Sequence, residues 1–490
     1  MSTKRKLLVA LGVFLLVVGG FVFWIWRGVP AEYTVDQLSG TDPVIVEPKP
    51  ETLPSVGIAK PIGWAADAAP TPAKGLVVGR FAEGLNHPRT MLTLPNGDVV
   101  VALTGSPKGN LGTGLMAKIG KWLMSSAGAK GESADTLVLL RDADGDGKAE
   151  GKFDLRVGNG LVSPSGLAWR DGTLYVANHD AVLAFAYPLG ETTLAGAPKK
   201  LMDLPPGGNH WMRNIILSPD GEKLYVAVGS ASNIGEKGME IEQGRAAIWE
   251  LNLKTGHPRQ YAQGLRNANG LAWNPASGEL WTTVNERDML GPDLVPDYLT
   301  NVPVGAHYGW PWIYFKKYND DRVTAAAPEY IDDFVRKPEY ALGAHVAALG
   351  MAFVSGGERL GADFGNGAFI ARHGSWNRKP KAGYDVVFVR FDANGNPVGL
   401  PVPVLTGFLT KDGGETQGRP TWVAFDKGGA LLVSDDTAGI IWRVIAPNAQ
   451  PAAPVKPVVT GKLPPQRSLQ GDPNARFSAG FKDDTTVKQQ

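Results

Sequence analysis

One unit recurs six times along this chain, and it restricts the possible folds more than any other feature of the sequence. Its fullest copy, GGNHWMRNIILSPDGEKLYVAVG from residue 207, holds an apolar β-favouring run at Ile215–Leu217, turn chemistry at Pro219-Asp220-Gly221, and a second β-rich run over 224–228, which together predict a hairpin. Related stretches read GLNHPRTMLTLPNGDVVVAL from 84, GLVSPSGLAWRDGTLYVAN from 160, GLRNANGLAWNPASGELWTTV from 264, a stretched LGMAFVSGGERLGADFGNGAFIAR from 349, and GRPTWVAFDKGGALLVSD from 418. Their spacing is roughly that of a four-stranded blade with its loops. The sequence therefore predicts an all-β, six-bladed β-propeller over residues 74–446. The 62 Gly, 37 Pro and 14 Trp suit many short strands and turns.

The ends of the chain differ from this middle. Residues 7–26 are uncharged and about long enough to cross a bilayer, preceded by Lys4, Arg5 and Lys6 and ending in Trp24, Trp26 and Arg27. Residues 1–27 are thus expected to form a transmembrane helix, single-pass in the inner membrane, with the amino terminus inside and the propeller in the periplasm. A cleaved signal peptide is the rival, but the run is long for one and no clean small-x-small site follows. Residues 28–73 are rich in Pro, Ala and acidic residues and predict an extended linker, and residues 447–490 a flexible tail. With no Cys there is no disulfide, thiolate metal site or covalent c-type haem. A formal net charge of +1 makes no electrostatic case for nucleic acid.

Within the first blade, Leu115, Met116, Ile119, Trp122 and Leu123 fall on one helical face and predict a short capping helix. Gly112-x-Gly114-x-x-Ala117 satisfies a loose dinucleotide fingerprint but closes no βαβ unit, so nicotinamide binding is not expected. Asp142, Asp144 and Asp146 alternate, with Gly147 in the sixth place, as a hard oxygen-seeking cation requires; Phe153 stands where an EF-hand supplies its bidentate Glu. A surface Ca²⁺ loop and a metal-free acidic turn are both compatible with this run.

Residues just before the innermost strand of each blade converge on the propeller axis. Those places carry Asn86, His87 and Arg89, then Asn209, His210 and Arg213, then Arg266 with Asn267, then His345, and finally Gln417 and Arg419. Several arginines facing one cavity suit an anionic, planar ligand, and a nearby His can act as a base. Trp211 and Trp376 could flank a flat ring or pack between blades.

His210 nine residues before Pro219, Gly264-Leu265-Arg266-Asn267, Gly291-Pro292, Tyr308-Gly309-Trp310-Pro311, His373-Gly374-Ser375-Trp376-Asn377-Arg378 and Gly418-Arg419-Pro420 occur in an order and spacing that resembles the soluble-type quinoprotein sugar dehydrogenases, and within them the membrane-associated L-sorbosone dehydrogenase branch. The resemblance spans roughly residues 75–445. It implies pyrroloquinoline quinone (PQQ) and Ca²⁺ as cofactors, a sugar or sugar-derived aldehyde as substrate, and a separate electron acceptor, quinone or cytochrome. It further implies His210 as general base, Arg266 and Asn267 at the quinone oxygens, His373 and Arg419 at the cofactor, and the carbonyls of Gly291 and Pro292 as Ca²⁺ ligands. Two places depart from the family pattern: Thr421 stands where a second Arg is expected, and Arg372-His373 where a Lys is expected. The rival functions are a Ca²⁺-dependent six-bladed lactonase or esterase, which needs a carboxylate cluster on the axis, and a non-catalytic propeller that binds carbohydrate or protein.

Overall fold

The computed structural model describes residues 5, 9, 11–20, 29–51, 56–107 and 133–458. Its strands form six antiparallel blades, each opening on the hairpin seen as a sequence repeat. Blade 1 runs through Pro88–Thr93, Val99–Leu103, Thr136–Arg141 and Gly151–Val157. Blades 2 to 5 begin at Gly166–Arg170, Ile215–Leu217, Ala268–Trp273 and Ala348–Phe353. Blade 6 contains Pro420–Phe425, Leu431–Asp435 and Ile440–Ile445, and takes its outer strand, Val77–Ala82, from the other end of the fold. Innermost strands of neighbouring blades touch all the way round, blade 6 against blade 1 included, so the ring is closed.

A blade lies between two others, so both of its faces are buried and its strands read as continuous apolar runs. In Val99–Leu103, Val99 and Val101 pack with Leu432 and Ile441 of blade 6, whereas Val100 and Ala102 pack with Leu174 and Val176 of blade 2. The period of two thus feeds two cores rather than one core and solvent. Every blade junction has its own apolar cluster, from Val226 against Val182 between blades 2 and 3 to Phe388 against Trp442 between blades 5 and 6. Near the axis the backbones crowd: a Cβ on Gly166 would stand 2.5 Å from the Arg213 carbonyl and one on Gly270 2.6 Å from that of Leu349. This close approach explains the Gly carried by the inner strands of blades 2 and 4.

The linker expectation needs correction. The segment after residue 28 is laid along the propeller: Ser39–Gly40 adds a fifth strand to blade 4, Thr71–Pro72 a fifth to blade 5, and Lys60–Pro61 pairs in parallel with Glu415–Thr416. Trp64 meets Trp442 edge-on with ring centroids 5.3 Å apart. Exposed outer strands offer unpaired N–H and C=O groups, and Pro is tolerated at such an edge, so a Pro-rich composition did not preclude docking. The tail follows the propeller as far as residue 458, where Val458 N–H donates to the Ala276 carbonyl at 2.8 Å. Residues 459–490, the expected capping helix within 108–132, and residues 21–28 lie outside the described residues. Residues 11–20 are helical, and no described helix is long and apolar enough to cross a membrane.

Trp442 is fully buried where blade 6, the amino-terminal strap and blade 5 meet. Trp442→Ala is expected to destabilise the protein by about 3–5 kcal/mol, read as a lowered urea midpoint.

Candidate active site

Alternating strand directions put the connections between blades, and those between second and third strands, on one face of the ring. His210 sits there, in the turn that leads from Lys199–Asp203 of blade 2 to Ile215–Leu217 of blade 3. Arg213, fully buried, clamps this turn from behind, donating to the carbonyls of His210 at 2.7 Å and Pro205 at 3.0 Å. It therefore supports the site rather than facing it.

His210 Nδ1 lies 2.9 Å from the Ser230 carbonyl oxygen. A carbonyl only accepts, so Nδ1 carries the proton and Nε2 the lone pair. No described residue bonds Nε2, which leaves it for the cavity that His210 lines. Burial, then the nearby positive charge of Arg266, lowers the His210 pKa from 6.5 to about 3. Gly229 packs beneath: a Cβ there would fall 2.7 Å from His210 Cβ and 2.4 Å from Asn267 Oδ1. The missing side chain lets His210 and Asn267 stand together over one stretch of backbone.

The cavity, about 190 Å³, is also lined by Arg89, Trp211, Asn267, Asn269, Asn285 and His373. Asn269 and Asn285 extend the amide wall begun by Asn267, and Asn285 is fixed by donating to the Ala348 carbonyl at 2.6 Å. Opposite them is a buried carboxylate that sequence reasoning missed, Asp436. It accepts from Arg89 Nη1 at 2.7 Å and from His373 Nε2 at 3.0 Å, while its carbonyl meets His87 Nδ1 at 3.0 Å. Despite its burial, the histidines and Arg89 hold its pKa well below the usual carboxylate value. The guanidinium of Arg89 lies 5.6 Å from the Trp211 ring centroid, and its buried Nε has no hydrogen-bond partner among the described residues. The one available signal for Asp436 was its place directly after the second strand of the sixth repeat.

Other sequence candidates are placed differently. Arg266 spends every N–H on protein: Nε on the Asn233 carbonyl at 3.1 Å, Nη1 on those of Glu286 and Asn285 at 2.7 and 3.3 Å, and Nη2 on Asn233 Oδ1 and Asp288 Oδ2 at 2.9 and 3.2 Å. The structure gives it no donor for a ligand, and it reaches the site through its charge. Arg419 stands behind His373, bonding the carbonyls of His373 and Gly374 at 3.0 and 2.8 Å. Thr421, where a second Arg was expected, is fully buried against the Arg419 carbonyl. Trp376 is 41% exposed and does not line the cavity.

His345 lies in a second buried cluster, with Nε2 3.1 Å from the Gly291 carbonyl and Nδ1 3.4 Å from Asp288 Oδ1. Burial opposes its charge, but the bond to Asp288 and that carboxylate's charge raise its pKa above 6.5. The Gly291 and Pro292 carbonyls, expected as Ca²⁺ ligands, face protein side chains: His345 Nε2 lies 3.1 Å from the first, and Arg378 Nε donates to the second at 3.0 Å. These oxygens point at an imidazole and a guanidinium, and the pair does not fit a metal ion.

Asp142, Asp144 and Asp146 do converge, with Glu150 as a fourth carboxylate, their ligand atoms within 4.8 Å of one another. Their loop joins the third and fourth strands of blade 1, which puts it on the face opposite His210 and away from the axis. Asp142 Oδ1 and Oδ2 already accept from the N–H groups of Gly145 and Gly147. Phe153, in the twelfth place, belongs to the following strand.

Because folding depresses the His210 pKa, its neutral ring favours the folded state fully above pH 6.5, and that contribution is lost as pH falls from 6.5 towards about 3. Imidazole ¹⁵N shifts at about pH 5 should show His210 neutral with the proton on Nδ1, although an unperturbed His is mostly charged there. Gly229→Ala is expected to cost about 1–3 kcal/mol by overpacking and to move the His210 signal, as seen in the same spectra and in urea unfolding.

The TrAA12-like family profile matches residues 155–301 and 317–448, more than half of the chain. A pyrroloquinoline quinone-dependent sugar dehydrogenase of Hypocrea jecorina is 24% identical over 322 residues, 55% of this chain and 71% of that protein. Among solved structures, the calcium structure of the Trichoderma reesei carbohydrate-active enzyme of family AA12 superposes with a TM-score of 0.61 at 21% identity, covering 77% of this chain and 96% of that one. The holo PQQ domain of pyranose dehydrogenase from Coprinopsis cinerea gives 0.60 at 19% identity over 79% of this chain and 100% of its own. At such identities the likeness is one of fold, a propeller like that of the PQQ sugar dehydrogenases. This chain belongs to the TrAA12-like family.

Proposed function

We propose that the protein is a PQQ-dependent oxidoreductase that oxidises a sugar, a sugar-derived aldehyde of the sorbosone type, or a related alcohol group. The observation that carries this reading is His210, a neutral imidazole whose Nδ1 is tied to Ser230 and whose Nε2 is left for the cavity.

The cavity's donors fit a flat, oxygen-rich anion. Arg89 brings a positive charge to the lining, Asn267 presents an amide, and His373 adds an imidazole braced by Asp436. Trp211 offers an aromatic wall to a planar ring. Arg419, held by the carbonyls of His373 and Gly374, adds positive charge beside His373. PQQ, when bound, would supply a two-electron acceptor for hydride. His210 Nε2 would then take the hydroxyl proton of an alcohol, a hemiacetal or the hydrate of an aldehyde as the same carbon gives up its hydride, so that its C–O bond becomes the carbonyl of a ketone or aldehyde, a lactone or an acid. A pKa of about 3 keeps this nitrogen unprotonated at rest, and an anion seated against Arg89 offsets the surrounding positive charge and raises its basicity.

A lactonase reading requires carboxylates free to bind a cation on the axis. Two buried axial carboxylates are instead matched to cations and imidazoles, Asp436 to Arg89 and His373, Asp288 to Arg266 and His345, and Asp297 is taken by the N–H groups of Glu286 and Ala347. As part of the same proposal, residues 1–27 anchor the protein in the inner membrane with the propeller in the periplasm, where a separate quinone or cytochrome accepts the electrons. The support is the basic flank, apolar run and Trp pair of the amino-terminal segment.

Incubation with PQQ followed by dye reduction in the presence of aldoses and sugar aldehydes tests the reading; no reduction with any of them refutes it. His210→Gln should bind the quinone as the parent does but lower turnover by about two to four powers of ten. A folded, quinone-loaded variant that turns over at the parent rate would exclude His210 as the base.

A further inference from the structure

The resemblance that suggests PQQ also places Ca²⁺ at the carbonyls of Gly291 and Pro292, and this chain has filled that place with side chains. Arg378 is 2% exposed, and its guanidinium is held from several sides. Nε donates to the Pro292 carbonyl at 3.0 Å, Nη1 to that of Pro380 at 3.0 Å, and Nη2 to the Tyr33 carbonyl at 2.6 Å and to Asp293 Oδ1 at 3.0 Å. His345 meets the neighbouring Gly291 carbonyl at 3.1 Å. On its outer side Gly291 is covered by the amino-terminal strap: a Cβ there would lie 3.1 Å from Lys49 Cβ, and Lys49 N–H donates to the Leu290 carbonyl at 2.9 Å.

Calcium needs six to eight oxygen ligands at about 2.3–2.6 Å. A divalent ion that close to both carbonyls would have the buried guanidinium as a like-charged neighbour. Expelling Arg378 instead would strip Asp293 of its cation and leave the Tyr33 and Pro380 carbonyls without their donor. The adjacent carboxylates are committed as well: Asp293 also accepts from Glu32 N–H at 2.7 Å, and Asp288 is shared by Arg266, Asn377 and His345.

We infer that Arg378 and His345, rather than Ca²⁺, satisfy the blade 4 carbonyls, and that PQQ binds on the axis of this protein without calcium. The inference rests on the proposed cofactor. The test uses the full chain stripped with EGTA and titrated with PQQ, once in EGTA and once in excess CaCl₂, following quenching of Trp fluorescence, since Trp211 lines the cavity. Half-saturation that agrees within about twofold between the two conditions supports the inference. Binding that calcium tightens about tenfold or more, and that remains so in Asp144→Asn, overturns it while leaving the cofactor intact. Tightening that disappears in Asp144→Asn traces to the loop on the opposite face and leaves the axis calcium-free. If the parent protein shows no quenching under either condition, the proposed cofactor fails and the inference with it.

Discussion

The burial of both faces of every blade is the constraint on which the rest of the structure depends. A strand such as Val99–Leu103 gives alternate side chains to two different junctions, so no blade has a core of its own and none is complete without both neighbours. The ring must therefore close, and it closes by pairing Val77–Ala82 with Ile440–Ile445, which joins the two ends of the fold by main-chain hydrogen bonds. Inward crowding of the innermost strands then brings turns from distant parts of the sequence onto one axis. His210, Asn267 and His373 line one cavity for that reason, with Asp436 bonded to His373, although more than two hundred residues separate the first from the last.

Positive charge on the axis is managed by pairing rather than left bare. Asp436 takes Arg89 and His373, Asp288 takes Arg266 and His345, and Asp293 takes Arg378. Buried ions without partners are costly, so a ring of arginines at the mouth of a propeller needs carboxylates or carbonyls behind it. What remains for a ligand is a smaller set: the charge of Arg89 in the lining, the Asn267 amide, and the Nε2 of a neutral His210, which no described residue bonds. That set is polar enough to orient an anion and still leaves a proton acceptor uncharged.

The amino-terminal strap ties the periphery to the axis. It extends the edges of blades 4 and 5, and between them it touches the loops that hold the axial clusters, through Glu32 to Asp293, Tyr33 to Arg378 and Lys49 to Leu290. A stretch whose composition reads as a spacer thus fixes the turn around Gly291 and Arg378. The profile match begins only at residue 155, so this bracing lies outside the part of the chain that defines the family.

The sequence by itself determined the fold class, the number of blades and the position of His210, because alternating runs and Pro-Asp-Gly or Asn-Gly turns are local signals that survive any context. It also marked Asn267 as inward-facing, since Asn267 stands just before an innermost strand, whereas His373, which follows the second strand of blade 5, was marked only by the family resemblance. Tertiary structure alone decided where each guanidinium points. Arg213, Arg266 and Arg378 look alike to Arg89 in the sequence, yet they are spent on carbonyls that the packed turns left without donors. Asp436 and Asp288 were inconspicuous for the converse reason: a single carboxylate after a strand means nothing until the ring sets cations around it. The direction of a long charged side chain depends on which unsatisfied groups the fold brings within its reach, and one-dimensional spacing does not encode that.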